Sequence, residues 1–560
     1  MKKKSIALVL TACMTLGMAA CASKEAPVSF ASETENSEKT EESEAKILYS
    51  NQGPKEYFEP AWEQGGGQTY NKLLFDTIIG LDEEQNPTTE SGAAESFEMS
   101  EDGLSLTIAL RDGMKWHDGE DVTVDDVVCT LEMGAKAESL GAGVNNVIRS
   151  ALYAIDGVDA YIDGSADSIS GLTVDGNMIT IRFAEVYPNA LYALGVCPVL
   201  PEHLLGDADL SKFHTESYWQ FPIGSGPFKL DSVTMGEYAY FVPFEDYWDG
   251  VADFSVYCTS SEADSDPSLV TNATAGKVDY AYTKSYADVQ ALRNVEGINI
   301  YEVPVLYTRL LQFNIMNKAD GSVNWLQDER VRKAFHYAID KAAICEQIFE
   351  GAAQPADGVD TPDGNPWKAE GLEDYSYDPE KAKSLLAEAG YDTSRTLVLA
   401  YYYTDQQTID MMAVIQHMLA EVGINVEPKL FEGNTDETLH KQPTSKDENG
   451  VSNVEWDIMY RGFAPSTVHE YYTVIAGRNA FPTNDEIQTQ VDELMSTADI
   501  DEQKAIYAEL ETLWSDLAWE VPLYYQPIWV ICSDKVDQNV DTWGNVQYFW
   551  DWDIQNWTLE

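Results

Sequence analysis

Basic residues are scarce: 35 lysines and arginines stand against 95 aspartates and glutamates, a formal net charge of −60. Nucleic-acid partners need basic patches, so this balance excludes them. The 7 histidines include no pair at metal-ligand spacing, and neither a metal nor another cofactor is expected. The 7 cysteines contain no C-x-x-C pair, which argues against a zinc site or a disulfide framework. No G-x-S-x-G elbow, H-E-x-x-H helix or phosphate-binding loop occurs; Gly276-Lys277 runs on into Val278 without the upstream glycine. With so many acids, a paired-carboxylate hydrolase leaves no readable signature, and an enzyme is not expected. Internal repeats, which an adhesin or structural surface protein would show, are absent, as is any run of 18 apolar residues beyond the first 20. What is abundant is core material. The chain is 44% hydrophobic and 11% aromatic, enough for two or three domains in 560 residues.

The first residues have their own logic. Lys2, Lys3 and Lys4 precede the apolar run Ile6–Ala20, and Cys21 follows the small pair Ala19-Ala20. A positive cap, a short apolar core and small residues at the end read as an export signal, residues 1–20. The cysteine resembles the acylated residue of the bacterial lipoprotein lipobox, with Met18 where leucine is usual. An earlier box, Leu10-Thr11-Ala12-Cys13, fits the pattern with a shorter apolar core. Residues 21–46 are rich in Ser, Glu, Thr and Ala, with Phe30 their only aromatic residue. Such a segment buries too little apolar surface to offset its ordering entropy and is read as a disordered acidic tether. Cys21 would then be the lipid anchor, on the extracytoplasmic face of a plasma membrane of the Gram-positive type. The five remaining cysteines, Cys129, Cys197, Cys258, Cys345 and Cys532, read as buried free thiols.

Periodicity outlines the folded body. Leu104–Leu110 and Met178–Phe183 alternate as half-buried strands do. Thr123 with Asp126 marks a helix start. Residues Asp328–Phe349 carry Val331, Ala334, Phe335, Ala338, Ile339, Ala342 and Ile348 at the spacing of one long amphipathic helix. Asp378-Pro379 opens another helix that Gly390 closes. Strands are predicted at Thr396–Tyr403, Ile424–Glu432 and Trp456–Tyr460. Strand and helix signals alternate throughout, which predicts an α/β fold.

Four separated segments stand out: Leu110-Arg-Asp-Gly-Met-Lys-Trp-His-Asp-Gly-Glu-Asp-Val-Thr-Val-Asp-Asp-Val127; Ile223-Gly-Ser-Gly-Pro-Phe-Lys-Leu230 with Tyr247-Trp248; Phe313-Asn314 with Arg330-Val-Arg-Lys-Ala-Phe-His-Tyr-Ala-Ile-Asp340; and Tyr377-Asp-Pro-Glu-Lys-Ala-Lys-Ser-Leu-Leu-Ala-Glu-Ala-Gly390. Together they resemble the peptide/nickel-type extracellular solute-binding proteins, family 5. Each is structural in character, His117 included. The resemblance implies a two-lobed, type II clamshell with an extra subdomain in the first lobe. The first lobe would span 47–305, with the subdomain at about 65–195; the second lobe 306–520; and 521–560 would return to the first. Crossings are expected near Tyr307–Asn314 and Pro522–Tyr525. The implied role is the substrate-binding component of an ABC importer, acting as a monomer with a permease and ATPase complex.

The family's contact loop commonly reads G-W-x-x-D, its aspartate holding a peptide's ammonium group in peptide-binding members. Here the stretch is Gly462-Phe463-Ala464-Pro465-Ser466, so an aromatic wall is kept and the charged anchor is replaced by a hydroxyl. Phe463, Ser466, Tyr307 at the crossing, Arg461 and Arg478 flanking the loop, and Tyr402 at a strand end are the candidate ligand contacts. Glu470 is a substitute acid four residues after Ser466. A dipeptide or oligopeptide is the favoured solute. The 31 tyrosines and 14 tryptophans also suit an oligosaccharide, and His469 is the one suggestive histidine for chelated nickel.

Overall fold

A computed structural model describes residues 46–58, 62, 69–83, 85–261, 266–359, 361–362, 365–433, 438–465, 467–538 and 550–560. The export signal, Cys13, Cys21, the tether to residue 45, and Ser466 lie outside the described residues. The alternation at Leu104–Leu110 becomes the strand Ser105–Leu110, whose residues alternate half-exposed and buried. It joins Ala94–Met99, Met178–Arg182 and Leu172–Asp175 in a small antiparallel sheet.

Two larger sheets organise the rest. The first runs in the order Ile298–Val303, Ile528–Ser533, Tyr280–Thr283, Lys46–Gly53, Phe254–Ser260, Tyr238–Pro243, Phe228–Thr234. The second runs Gln354–Pro355, Glu520–Tyr525, Thr308–Phe313, Ile458–Phe463, Thr396–Tyr401, Asn425–Leu430. Two clusters of buried side chains form, one with Phe241 and Val256 of the first sheet, the other with Phe313, Tyr471 and Trp514 together with Ala281, Trp529 and Ile531 from the first sheet. This is the two-lobed α/β architecture expected.

The chain passes between the sheets twice. It leaves the first at Val303 and enters the second at Thr308; it leaves the second at Tyr525 and re-enters the first at Ile528. The two crossings touch, since the Gln526 N–H donates to the Tyr307 carbonyl at 2.7 Å. The return expected from 521 therefore begins at 528. Glu520–Tyr525 is buried at all six positions and pairs with Thr308–Phe313 inside the second sheet, and Gln526-Pro527 makes the break.

The long helix expected at Asp328–Phe349 is two helices, Glu329–Ala338 and Lys341–Phe349. Ile339 is extended, and the Asp340 side chain accepts from the Ala343 N–H at 2.9 Å as an N-cap. A short acid that bonds its own downstream backbone interrupts a helix even where the apolar period continues. Asp378 and Gly390 cap the helix Pro379–Ala389 as read, the glycine at φ 68°. Cys197, Cys258, Cys345 and Cys532 are buried and Cys129 half-buried, all as free thiols.

His117 joins the first two family segments. Its Nδ1 accepts from the Gly224 N–H at 3.1 Å, and its Nε2 lies 3.0 Å from the Gly226 carbonyl. That pattern requires the neutral ring with its proton on Nε2. Burial pushes the imidazole down to about 4 from an ordinary 6.5, against a raising effect of the Gly226 carbonyl. The unfolded chain thus takes up a proton at higher pH than the folded one, so the histidine's stabilisation is present above pH 6.5 and is lost as pH falls towards 4. His117→Leu, which orphans both backbone groups, is expected to cost about 2–4 kcal/mol near neutrality. The deficit relative to wild type should shrink towards pH 4; a deficit in urea unfolding that stays constant with pH would contradict this assignment.

Candidate functional site

The C-terminal ends of Thr396–Tyr401 and Ile458–Phe463, which run parallel, meet the crossings at one edge of the second sheet. Phe463 pairs with Thr308, and Thr308 with Tyr525. The edge faces the first lobe: Lys284, just past the first-sheet strand Tyr280–Thr283, has its ammonium 4.8 Å from the centre of the Tyr307 ring. Further out, Asn146 donates to Glu470 and Asn189 to Thr467, both at 3.2 Å, so the stretch 146–189 reaches the start of the helix Val468–Ala476. Glu470 is thereby engaged by that stretch. His469 is buried, hydrogen-bonded to Gln503 at 2.8 Å and packed on Trp367.

Alternation along the strands divides the candidate residues between two faces. On one face Arg309 lies opposite both Gly462 and Tyr524, with Tyr460 two residues from the glycine. A β-bulge falls between Arg309 and Leu310 in the pairing with Glu520–Tyr525, a device that re-aims side chains beside functional sites. The Arg309 guanidinium carbon sits 4.2 Å from the centre of the Tyr403 ring, 4.8 Å from Tyr307 and 5.9 Å from Tyr460. Its Nε and Nη1 are shut from solvent and meet no acceptor among the described residues. The site is an arginine walled by tyrosines, with no acid among the described residues to pair it.

The wall is internally bonded. The Tyr403 hydroxyl accepts from the Gly462 N–H at 3.1 Å and lies 2.9 Å from the Tyr402 hydroxyl; those of Tyr460 and Tyr524 lie 2.8 Å apart. Burial alone would raise the Tyr403 phenol. The nearby Arg309 charge and the bonds from Tyr402 and Gly462 outweigh it and hold the group below its usual range. Gly462 leaves the room required, since a methyl group there would come within 2.6 Å of the Tyr307 ring and 3.2 Å of the Arg309 Nη1.

On the opposite face, Arg461 and Arg478 both donate to the Gln312 Oε1, at 3.1 and 3.3 Å. Phe463 stands edge-on to Tyr471 with the Arg478 guanidinium 5.1 Å from its ring centre. Burial pushes Glu520 up to about 7, with the Tyr471 hydroxyl and Arg461 pulling the other way. Of the six residues named from the sequence, then, Tyr307 and Tyr402 gather at the crossings. Phe463, Arg461 and Arg478 gather behind the sheet, and Ser466 is not described. Arg309 was not among them. Its only signal was a lone base in the apolar strand Thr308–Phe313, which nothing local marks as unpaired.

Comparison with known proteins completes the picture. The model of the bacterial extracellular solute-binding proteins, family 5 (middle region), matches residues 88–479. A Brucella ovis protein described as an ABC-transporter peptide-binding protein is 28% identical over 388 residues, 68% of each chain. The fold matches the ABC transporter substrate-binding protein CtaP of Listeria monocytogenes with TM-score 0.74 at 20% identity, over 92% of this chain and 99% of that one. It also matches the oligopeptide-binding protein AppA of Bacillus subtilis, solved with a nonapeptide, with TM-score 0.69 at 18% identity over 92% and 98%.

Proposed function

We propose that this chain, which belongs to the bacterial extracellular solute-binding proteins of family 5 and is the extracytoplasmic substrate-binding component of an ABC importer, captures a peptide-like solute whose carboxylate is held by Arg309. The observation that carries this reading is the Arg309 guanidinium, with Nε and Nη1 buried and unaccepted inside a tyrosine wall. Burying a cation without a partner is unfavourable, and a carboxylate matches a guanidinium with two parallel hydrogen bonds. The same wall offers aromatic surface for apolar side chains of the solute. Gly462 gives the Tyr307 ring and the Arg309 guanidinium room to pack against the strand.

Capture works through the crossings. Rotation of one lobe against the other is confined to residues 304–307 and 526–527, outside both sheets. A solute that bridges Arg309 to the first lobe favours the closed arrangement only by its differential affinity for it. The family and fold are those of transport binding proteins, and the chain's work is binding without turnover.

A thermal-shift panel of peptides, oligosaccharides and nickel–histidine tests the solute class, because a ligand of the folded state raises the melting temperature. The expected result is a shift with peptides carrying a free carboxylate; a shift with oligosaccharide alone would overturn the reading. We also assign Cys21 as the lipidated residue that holds a monomeric binding protein at the membrane. One acyl chain binds only marginally, so multiple chains are required. Cys21→Ser should release the protein into the medium, whereas undiminished membrane retention would shift the anchor to Cys13.

A further inference from the structure

Behind the second sheet, the Arg461 and Arg478 guanidiniums share one neutral acceptor, the Gln312 Oε1. The Arg461 Nε and the Arg478 Nε and Nη2 are shut from solvent and meet no acceptor among the described residues. Both side chains line a cavity of about 330 Å³ with Trp456, His440 and Asn479. In a chain with 95 acids, two guanidiniums lie side by side without a carboxylate bonded to either among the described residues. Glu520 sits opposite Gln312 across the strand pair; its Oε2 accepts from the Tyr471 hydroxyl at 2.7 Å, and its Oε1 is bonded to neither arginine among the described residues. Arg478 is not required to close the helix Val468–Ala476 either, because Lys446 donates to the carbonyls of Gly477 and Arg478.

Like charges held together at reduced dielectric repel, and buried donors without acceptors are unfavourable. One group relieves both: a small anion with two or more oxygens, which the planar forks of two arginines match. We propose that this cavity is a binding site for a small oxyanion of the phosphate or carboxylate kind, separate from the crossing site. The separation follows from the fold. The cavity is lined by Trp456, before the strand Ile458–Phe463, and by Gly477–Ala480, beyond the far end of the nine-residue helix whose start meets Asn189. Such a helix is about 13 Å long, and Arg309 lies on the other face of the sheet. The proposal does not depend on which solute the crossing site takes.

Isothermal titration of the full chain with inorganic phosphate, sulfate and acetate tests it, with chloride at matched ionic strength as control. The expected result is saturable binding of at least one oxyanion beyond the chloride response. Arg478→Gln and Arg461→Gln should each weaken it at least about tenfold, while Arg182→Gln, at the end of the small-sheet strand Met178–Arg182, leaves it within about twofold. Circular dichroism identifies a variant that fails to fold; the other arginine variant then decides. No saturable binding by wild type overturns the proposal, as does wild-type affinity in a folded Arg478→Gln or Arg461→Gln. Loss in Arg309→Gln alone would place the anion at the crossings and overturn it as well.

Discussion

Arg309→Gln is expected to weaken capture of a carboxylate-bearing solute by roughly 100-fold or more, with little change in folding. Hydrogen bonds to charged groups contribute about 1.5–3 kcal/mol each, and a bidentate pair loses two of them. About 1.4 kcal/mol is a factor of ten. Arg309→Lys keeps the charge but not the fork, so it should recover only part of the affinity. The unliganded protein should melt at the same temperature or slightly higher. The substitution removes the buried Nε and Nη1 donors that no described residue accepts, each a penalty of about 1–3 kcal/mol. Ring contacts to Tyr403 and Tyr307, about 0.5–2 kcal/mol, are what it gives up. A gain in stability bought with lost binding is the pattern of a residue kept for function. A folded Arg309→Gln protein that binds as wild type does would remove Arg309 from the site.

Gly224→Ala has the largest expected effect on stability. A Cβ at this position would lie 1.6 Å from the Leu74 carbonyl oxygen and 2.5 Å from its carbon. The obstruction is backbone, so no side chain can swing away. The neighbouring Gly226 N–H donates to that same oxygen at 2.8 Å, and His117 accepts from the Gly224 N–H. Displacing the loop therefore breaks the bonds that tie the two family segments to each other and the second of them to the helix Thr69–Leu74. The loss should exceed about 4 kcal/mol, the exceptional end for one substitution. Gly113→Ala is the contrast. Nothing lies within 4 Å of its Cβ, and only its φ of 80° is strained, at about 1–2 kcal/mol. Chemical denaturation of the two variants side by side checks the ranking; equal, small losses would contradict it.

What the sequence made legible was local. Asp378 and Gly390 bound their helix because caps act within a few residues, and Leu104–Leu110 read as a strand because alternation is a property of the strand itself. The apolar stripe across Asp328–Phe349 concealed a break that Asp340, as an N-cap, could have signalled. The resemblance set the second crossing near Pro522–Tyr525, but Glu520–Tyr525 pairs inside the second sheet and the break falls at Gln526-Pro527. The site was harder still. Tyr402 and Tyr307 were found from strand ends and crossings. Whether Arg309 has an acid beside it depends on which strands pair, and the bulge that re-aims the chain there is visible only in the paired register. Arg461 was noticed for its nearness to the contact loop, yet alternation from Tyr460 already places it on the other face.

The most direct test of Arg309 as the carboxylate anchor is a two-by-two titration. One peptide that shifts the melting temperature is used as the free acid and as the C-terminal amide, each against wild type and Arg309→Gln. Amidation should weaken binding to wild type at least about tenfold and change binding to Arg309→Gln by less than about twofold, a coupling of over 1 kcal/mol. An amide that binds wild type as tightly as the acid, or an equal penalty in both proteins, would contradict it.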